Sequence, residues 1–571
     1  MACLISLLCR LGAAAVGRLR SCQTRAGRTL PTRAHGRPPA SCREGALPTR
    51  ARAALFALLP AVLLLAACGT LPPPAPRAPS AALRADAASP LARIAAASTP
   101  SPELSGFRLL PLGAFSLDAR LQLADRAASS LDVQYYVLEN DATGRLLLAK
   151  LRDVAARGVR VRLLVDDLYT RRTDGLLRLL AAHPNVEVRL FNPFCCARAS
   201  GVAGRFAASL GDFARLNHRM HNKLFIADGV MALAGGRNIA DEYFMLNASQ
   251  NFVDMDAFLM GAVVGQLSAI FDAYWNSQVV VPIGELPAAE AAYAGEATPQ
   301  QRFARLVDGP SMPVAVLPDV DALGYGPLSE DLEAGKVGLI WDGARAYADP
   351  PDKLARKTAK EAVEQSVSFD AMMTLWKAER ELVITSPYLI PGRMGVDSIT
   401  SLRKAGVKVT LLTNSLAATD EPLVHAGYAR YRDALLAAGV DLYELSPSRT
   451  RSAPRLGLFG SSIGRLHAKT AVVDRRMVFV GSMNLDPRSE SQNTELGIFI
   501  DSPELAAEML RVISISRLQG AYRLRLDAAQ RIEWLSSDDD KETVLTAEPE
   551  SSWRLRLHNF VFGWLVPEQL L

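Results

Sequence analysis

Two histidines, His221 and His467, each stand two residues before a lysine, Lys223 or Lys469, and seven before an aspartate, Asp228 or Asp474. Downstream of each lies a small-residue turn that leads to an asparagine, Gly235-Gly236-Arg237-Asn238 in one case and Gly481-Ser482-Met483-Asn484 in the other. Imidazole titrates near neutrality, so one such ring can attack a phosphorus atom while the other, protonated, delivers a proton to the departing alkoxide. Lysine ammonium and asparagine amide groups are donors suited to the non-bridging oxygens of a phosphodiester. Lys223, Lys469, Asn238 and Asn484, with Ser482 and Gly236 beside them, are the candidate phosphate-holding set, and His221, Lys223, Asp228, His467, Lys469 and Asp474 the candidate catalytic set. Such chemistry requires no metal and no other cofactor.

Alternation along a strand puts residues i and i+2 on one face, so a strand through each motif would present an imidazole and an ammonium side by side. Asp228 and Asp474 precede short turns into second strands, MALAGG and MVFVGSMN, which would carry Asn238 and Asn484 back beside the histidines. An attacking histidine also needs a carboxylate behind it to fix its tautomer. Glu495, eleven residues after Asn484, and Asp254, sixteen after Asn238, both open strand-like runs and are the candidates. Asp256 competes with Asp254 for the role in the first half.

The elements around these motifs repeat. LDVQYYV (131 to 137), VRVRLLVDD (159 to 167) and VEVRLFNP (186 to 193) alternate with helical patterns, as do ELVITSPYLI (381 to 390), VKVTLLTNS (407 to 415) and VDLYELSP (440 to 447). Gly158 to His221 spans 63 residues and Gly406 to His467 spans 61, so the second set is a copy of the first. Short β-branched runs separated by helices that stop at glycine predict α/β architecture with mixed, mostly parallel sheets covered on both faces. The expected organisation is a half at 106–300, a connector at 301–335 and a second half at 336–571, the two packed as a pseudo-twofold pair around one phosphate.

The formal charge of +5 is carried by the N-terminus: residues 1–67 hold ten Arg and one acid, Glu44, and setting aside their +9 leaves −4. A slightly acidic body lacks the broad positive field of non-specific nucleic-acid binding, which makes a nucleic-acid partner the unlikely one. The apolar run 54 to 68 is short for a bilayer span and follows Arg50 and Arg52, the build of a signal-peptide core. It closes in Leu65-Ala66-Ala67-Cys68, similar to a bacterial lipobox, which makes Cys68 the candidate lipidated residue and predicts a membrane-attached lipoprotein of the cell envelope, facing the periplasm. The arginine-rich stretch before Leu47 has no hydrophobic period and reads as translation upstream of the true start. Eight prolines among Ala and Ser between Leu71 and Pro102 predict an extended tether over 68–105. Past residue 68 the only cysteines are the adjacent Cys195 and Cys196, whose geometry disfavours a mutual bond, so no disulfide framework is expected.

The twice-present His-x-Lys-x-x-x-x-Asp with its downstream Gly-Gly/Ser-x-Asn resembles the phospholipase D superfamily. LNHRMHNKLFIADG (216 to 229), TNSLAATDEPLVHAGYARYR (413 to 432), GSMNLDPRSESQNTELG (481 to 497) and the closing LVPEQLL resemble, within it, the cardiolipin synthase C type, over about residues 105 to 571. The resemblance implies phospholipid substrates, a membrane surface as partner, and transfer of a phosphatidyl group to phosphatidylglycerol through a phosphohistidine, with His221 as nucleophile and His467 as acid. A hydrolase releasing phosphatidic acid would use the same residues, and a nucleic-acid phosphodiesterase is the alternative from another class. His425 is a candidate for an acceptor channel, against the commoner fate of a packed helical histidine. The terminal SSWRLRLHNFVFGWLVPEQLL is expected to close the core over the second half, with a membrane-contacting face as the other reading.

Overall fold

The computed structural model describes residues 71, 75–288, 297–308, 317–353, 366–457, 459–538 and 541–565. Cys68 and the whole stretch 1–70 lie outside the described residues, as does the closing segment 566–571.

Three parallel strands form the centre of each half. In the first, Ser130–Tyr135, Arg160–Asp166 and Val186–Phe191 pair in register; in the second, Glu381–Thr385, Lys408–Asn414 and Asp441–Leu445 do the same. The helices between them end on Gly158 (φ +93°) and Gly406 (φ +88°), the left-handed residues that terminate a helix at no steric cost. The motif hairpins then add on antiparallel. Leu224–Ala227 pairs with Ser130–Tyr135 and with Met231–Gly235, and Thr470–Val473 pairs with Glu381–Thr385 and Met477–Gly481. Asp256–Gly261 and Leu496–Asp501 extend the hairpins, and Ser105–Leu110 and Ile340–Ala348 come next. The expectation of mostly parallel sheets is therefore corrected. Parallel pairing is confined to the three-strand centres, because the motif strands return through tight turns that only antiparallel neighbours allow.

Among the described residues, eight strands follow the same order in both halves, and the second adds Ile532–Asp538 and Lys541–Leu545 at its edge, so the duplication inferred from spacing extends to the topology. The halves do not merely touch. Ile340–Ala348 pairs with Ser105–Leu110 at one end and with Leu496–Asp501 at the other, joining the sheets. One apolar cluster takes Phe107, Ile226 and Leu259 from the first half and Val472, Val480 and Ile498 from the second, all buried. A shared core of this kind holds two half-sites at a fixed separation.

Two segments differ from expectation. From Ala75 onward the stretch read as tether lies against the first half: Ala82 N–H donates to Asp272 (2.8 Å), Arg162 reaches Ser80 O (3.1 Å), and helix Pro90–Ser98 buries Leu91 and Ile94. Its proline and alanine content hid the few apolar residues that seat it. The stretch read as connector carries helix Pro299–Val307, with its Thr298/Gln301 capping box, and Leu328–Glu333. Buried Phe303 and Leu328 fix both onto the first-half core.

Among the described residues, the C-terminal helix Trp553–Leu565 does not close the core. Trp553 (64% exposed), Leu557 (53%), Phe560 (69%) and Val561 (42%) form an outward apolar face, while Asn559 is buried and Gly563 sits against Ala426. The side chains of Phe562 and Trp564 lie outside the described residues. Among the described residues, no helix is long and apolar enough to cross a membrane.

Candidate active site

His221 and His467 sit just ahead of the strands Leu224–Ala227 and Thr470–Val473, in segments that pair across the two halves. Ile463–Leu466 runs parallel to Gln250–Val253, and Met220 bridges Thr494. His467 N–H donates to Val253 O and His221 N–H to Thr494 O, both at 2.8 Å. Val253 and Thr494 are the residues immediately before Asp254 and Glu495. The backbone thus delivers each histidine to the carboxylate of the opposite half.

The side chains complete this crossing. His221 Nδ1 lies 3.0 Å from Glu495 Oε2, and His467 Nδ1 lies 2.6 Å from Asp254 Oδ2. Asp254 is thereby distinguished from Asp256, whose carboxylate accepts from Arg120 (2.9 Å) and Ser116 (2.6 Å). Burial, the largest effect, pushes both acids up, but His467 with Lys469 and Arg237 together hold Asp254 at about 2, and His221 with Lys223 and Ser482 hold Glu495 below its ordinary value. Both are ionised and can only accept, so each Nδ1 carries the proton and each neutral ring keeps its Nε2 lone pair free. Burial also drives the imidazoles down, His221 to about 4 and His467 below its ordinary value.

Lys223 and Lys469 are buried beneath these rings, each Nζ donating to the carbonyl of its own histidine at 2.5 Å. Burial depresses both ammoniums, Lys469 to about 8; Lys223 falls well below the usual range through burial and then through Lys469 itself. Lys469 disfavours the charged form of Lys223, so an anion bound beside the pair would restore it.

Both histidines open on a single cavity of about 560 Å³ whose wall also includes Tyr136, Asn238, Tyr243 and Asn484. Asn484 Oδ1 is buried without a hydrogen-bond partner. Asn238 is already engaged: its Nδ2 donates to Tyr243 Oη (2.9 Å) and its Oδ1 accepts from Val137 N–H (3.2 Å). Two aromatic rings that the motif analysis did not pick out stand edge-on to the imidazoles, Tyr136 to His221 at 5.0 Å and Tyr243 to His467 at 5.1 Å. The doubled tyrosine ending LDVQYY was the one signal for Tyr136, since alternation buries only one of the pair in the sheet.

Four expected site residues act elsewhere. Asp228 accepts from the backbone N–H groups of Ala128, Ser129 and Ser130, and Asp474 from those of Glu379, Arg380 and Glu381. Each stands at the far end of its strand from the histidine and clamps the hairpin turn to the start of the neighbouring strand. Neither carboxylate lies on the wall of the cavity. Ser482 donates to Glu495 and accepts from Leu496 N–H (3.0 Å), so its hydroxyl secures the carboxylate instead of a phosphate. Gly236 gives Asp254 its space, because a Cβ there would lie 2.0 Å from Asp254 Oδ1, and its N–H already donates to Met255 O (2.9 Å).

His425 is buried and absent from the cavity wall, which removes it from the acceptor channel. With Glu444 and Glu548 it forms the one cluster among the described residues with metal-ligand spacing. Arg432 already bridges the two carboxylates, at 3.2 Å to Glu444 and in close contact with Glu548, so the cluster carries its own cation.

Residues 121–275 and 372–514 match the family model described as cardiolipin synthase, PLD-like domain. The chain is 41% identical over 450 residues to cardiolipin synthase C of Escherichia coli (strain K12), covering 77% of this chain and 92% of that protein. It is 30% identical over 461 residues to an uncharacterized protein of Helicobacter pylori (strain J99), covering 80% and 88%. To a cardiolipin synthase of Staphylococcus aureus (strain Mu50) it is 26% identical over 441 residues, covering 76% and 72%. Both matched segments contain one of the crossed histidine centres, and the chain belongs to the cardiolipin synthase family with paired phospholipase D-like domains.

Proposed function

We propose that this enzyme is a phosphatidyltransferase that makes cardiolipin from phosphatidylglycerol and a second phospholipid. The observation that carries the reading is the crossed pair: two neutral imidazoles, each backed by an ionised carboxylate of the other half, open on one cavity. His221 Nε2 attacks phosphorus while His467, protonated once the anionic substrate offsets its burial, gives its proton to the leaving alkoxide. His467 then takes the proton of the acceptor hydroxyl as that oxygen displaces His221. Lys223, Lys469 and Asn484 hold the non-bridging oxygens, and Glu495 and Asp254 stabilise the charged rings. An acceptor alcohol yields transfer and water yields hydrolysis.

The site's natural partner is a membrane surface. The outward face of Trp553, Leu557, Phe560 and Val561 is flanked by Arg554 and Arg556, a composition suited to an anionic lipid interface. Lipidation at Cys68 would add an anchor and place the enzyme in the bacterial cell envelope.

The test is incubation of purified protein with phosphatidylglycerol, with and without phosphatidylethanolamine, and identification of products by mass spectrometry. Cardiolipin is the expected product. Phosphatidic acid alone would replace transfer by hydrolysis, and cleavage of DNA in place of lipid would overturn the lipid reading.

A further inference from the structure

The two half-sites are alike where phosphorus reacts and unlike four residues beyond each asparagine. Arg488 occupies that position after Asn484, and Glu242 occupies it after Asn238. Both line the reaction cavity, so one wall bears a guanidinium where its pseudo-twofold mate bears a carboxylate. Glu139, Asp420, Glu421 and Asp486 lie on the cavity wall as further acids, the last two beside Arg488.

Arg488 is held loosely. Among the described residues the only hydrogen bonds of its guanidinium are long ones to Asn217, 3.4 Å to Oδ1 and 3.3 Å to the backbone oxygen, and it forms no ion pair there. Glu421 and Asp486 are the carboxylates near enough to feel its charge. Asp486 accepts from the Ser489 N–H at 2.7 Å as a helix cap. The other arginine on the wall, Arg219, is spent on Asp166 (3.1 Å) and on the Asn192 carbonyl (2.7 Å). Lys223 and Lys469 lie beneath the wall, on their histidine carbonyls. Arg488 is therefore the cation on the cavity wall with unspent donors.

Joining two phospholipids through one glycerol brings two phosphates into the cavity together. The first reacts at the histidines. The second belongs to the acceptor, stays intact, keeps its negative charge and lies a glycerol bridge away from the first. It needs a cation of its own, because the five carboxylates on the cavity wall, Glu139, Glu242, Asp420, Glu421 and Asp486, repel it elsewhere. We propose that Arg488 is the subsite for this second phosphodiester and so selects an anionic phospholipid as acceptor. The proposal rests on the transferase reading above.

The experiment supplies one donor phospholipid and compares three acceptors: phosphatidylglycerol, its neutral methyl phosphotriester, and butanol. Wild-type enzyme is expected to prefer phosphatidylglycerol over the phosphotriester by about tenfold or more in kcat/KM, the range of a charge-assisted contact to phosphate. In Arg488→Gln that preference falls below threefold, and the ratio of transfer to phosphatidylglycerol over transfer to butanol falls at least tenfold. A wild-type preference below threefold would overturn the subsite without reference to any variant. A preference retained in Arg488→Gln would also overturn it, since the charge would then be read elsewhere. Failure of the transferase reading itself shows separately, as wild-type enzyme that yields phosphatidic acid and no transfer product with any acceptor.

Discussion

Replacing Glu495 by Gln removes one charge from behind His221 and little else. Glu495 is fully buried, with Oε2 against His221 Nδ1 (3.0 Å) and Ser482, and Oε1 against Ser489 Oγ (2.9 Å). Glutamine fills the same volume, and with its carbonyl toward His221 it still accepts the Nδ1 proton. What it lacks is the negative charge that stabilises the ring as it becomes cationic on bonding phosphorus. A hydrogen bond to a charged group contributes about 1.5–3 kcal/mol, which predicts a fall in kcat of roughly 10- to 150-fold. If the amide nitrogen turns toward His221 instead, the wrong tautomer is favoured and the loss grows further.

The pH profile separates this from simple damage. Burial lowers His221, and the Glu495 charge offsets part of that, leaving it at about 4. Removing that charge must lower His221 further, so the acid limb of kcat/KM, where the free nucleophile becomes protonated, moves to lower pH. The assay is initial-rate lipid turnover by mass spectrometry between pH 3.5 and 8, with thermal melting to confirm folding. Activity within threefold of wild type, or an acid limb displaced upward, would refute the reasoning.

Other outcomes follow from the same geometry. His221→Ala and His467→Ala each abolish turnover, and substantial product from either variant, measured with phosphatidylglycerol, would contradict a shared centre. Asp254→Asn reproduces the Glu495→Gln loss through His467, about 10- to 150-fold, although the two carboxylates lie far apart in sequence. Asp228→Ala strands three backbone donors and costs about 2–4 kcal/mol of stability, read in chemical denaturation, while the folded fraction keeps at least a third of its specific activity. Trp553→Ser with Phe560→Ser weakens binding to phosphatidylglycerol vesicles in a flotation assay, and unchanged flotation would remove the C-terminal helix from the membrane contact.

The motif histidines and lysines, the duplication and Glu495 were legible because each lies within one short stretch, whereas alternation along the strand left Asp254 and Asp256 as rivals that only the contact of His467 with Asp254 separates. The crossing of Glu495 to His221 and Asp254 to His467 was not legible, since it depends on pairing between Gln250–Val253 and Ile463–Leu466, a tertiary event that no local pattern records. Asp228 and Asp474 share the motif with the histidines, so spacing could not separate a turn clamp from a catalytic group; only their backbone partners do. Ser482 and Gly236 were read as phosphate ligands by proximity to Asn484 and Asn238. Their burial and small size serve the carboxylates behind the rings. Composition misled twice in opposite directions: the proline-rich stretch after Ala75 is seated by two apolar side chains, whereas Trp553 and Phe560 of the C-terminal helix face outward.

The central claim is that one phosphorus atom passes through His221 with His467 as its proton partner. It is tested most directly by mixing enzyme with donor phospholipid in the absence of acceptor, quenching in alkali, which preserves phosphohistidine, and mapping peptides by mass spectrometry. A phosphatidyl mass, or the glycerophosphoryl mass left once alkali removes its acyl chains, on the peptide bearing His221, and none on that bearing His467, is the predicted result. An adduct on His467, or turnover with no adduct on either histidine, would contradict it.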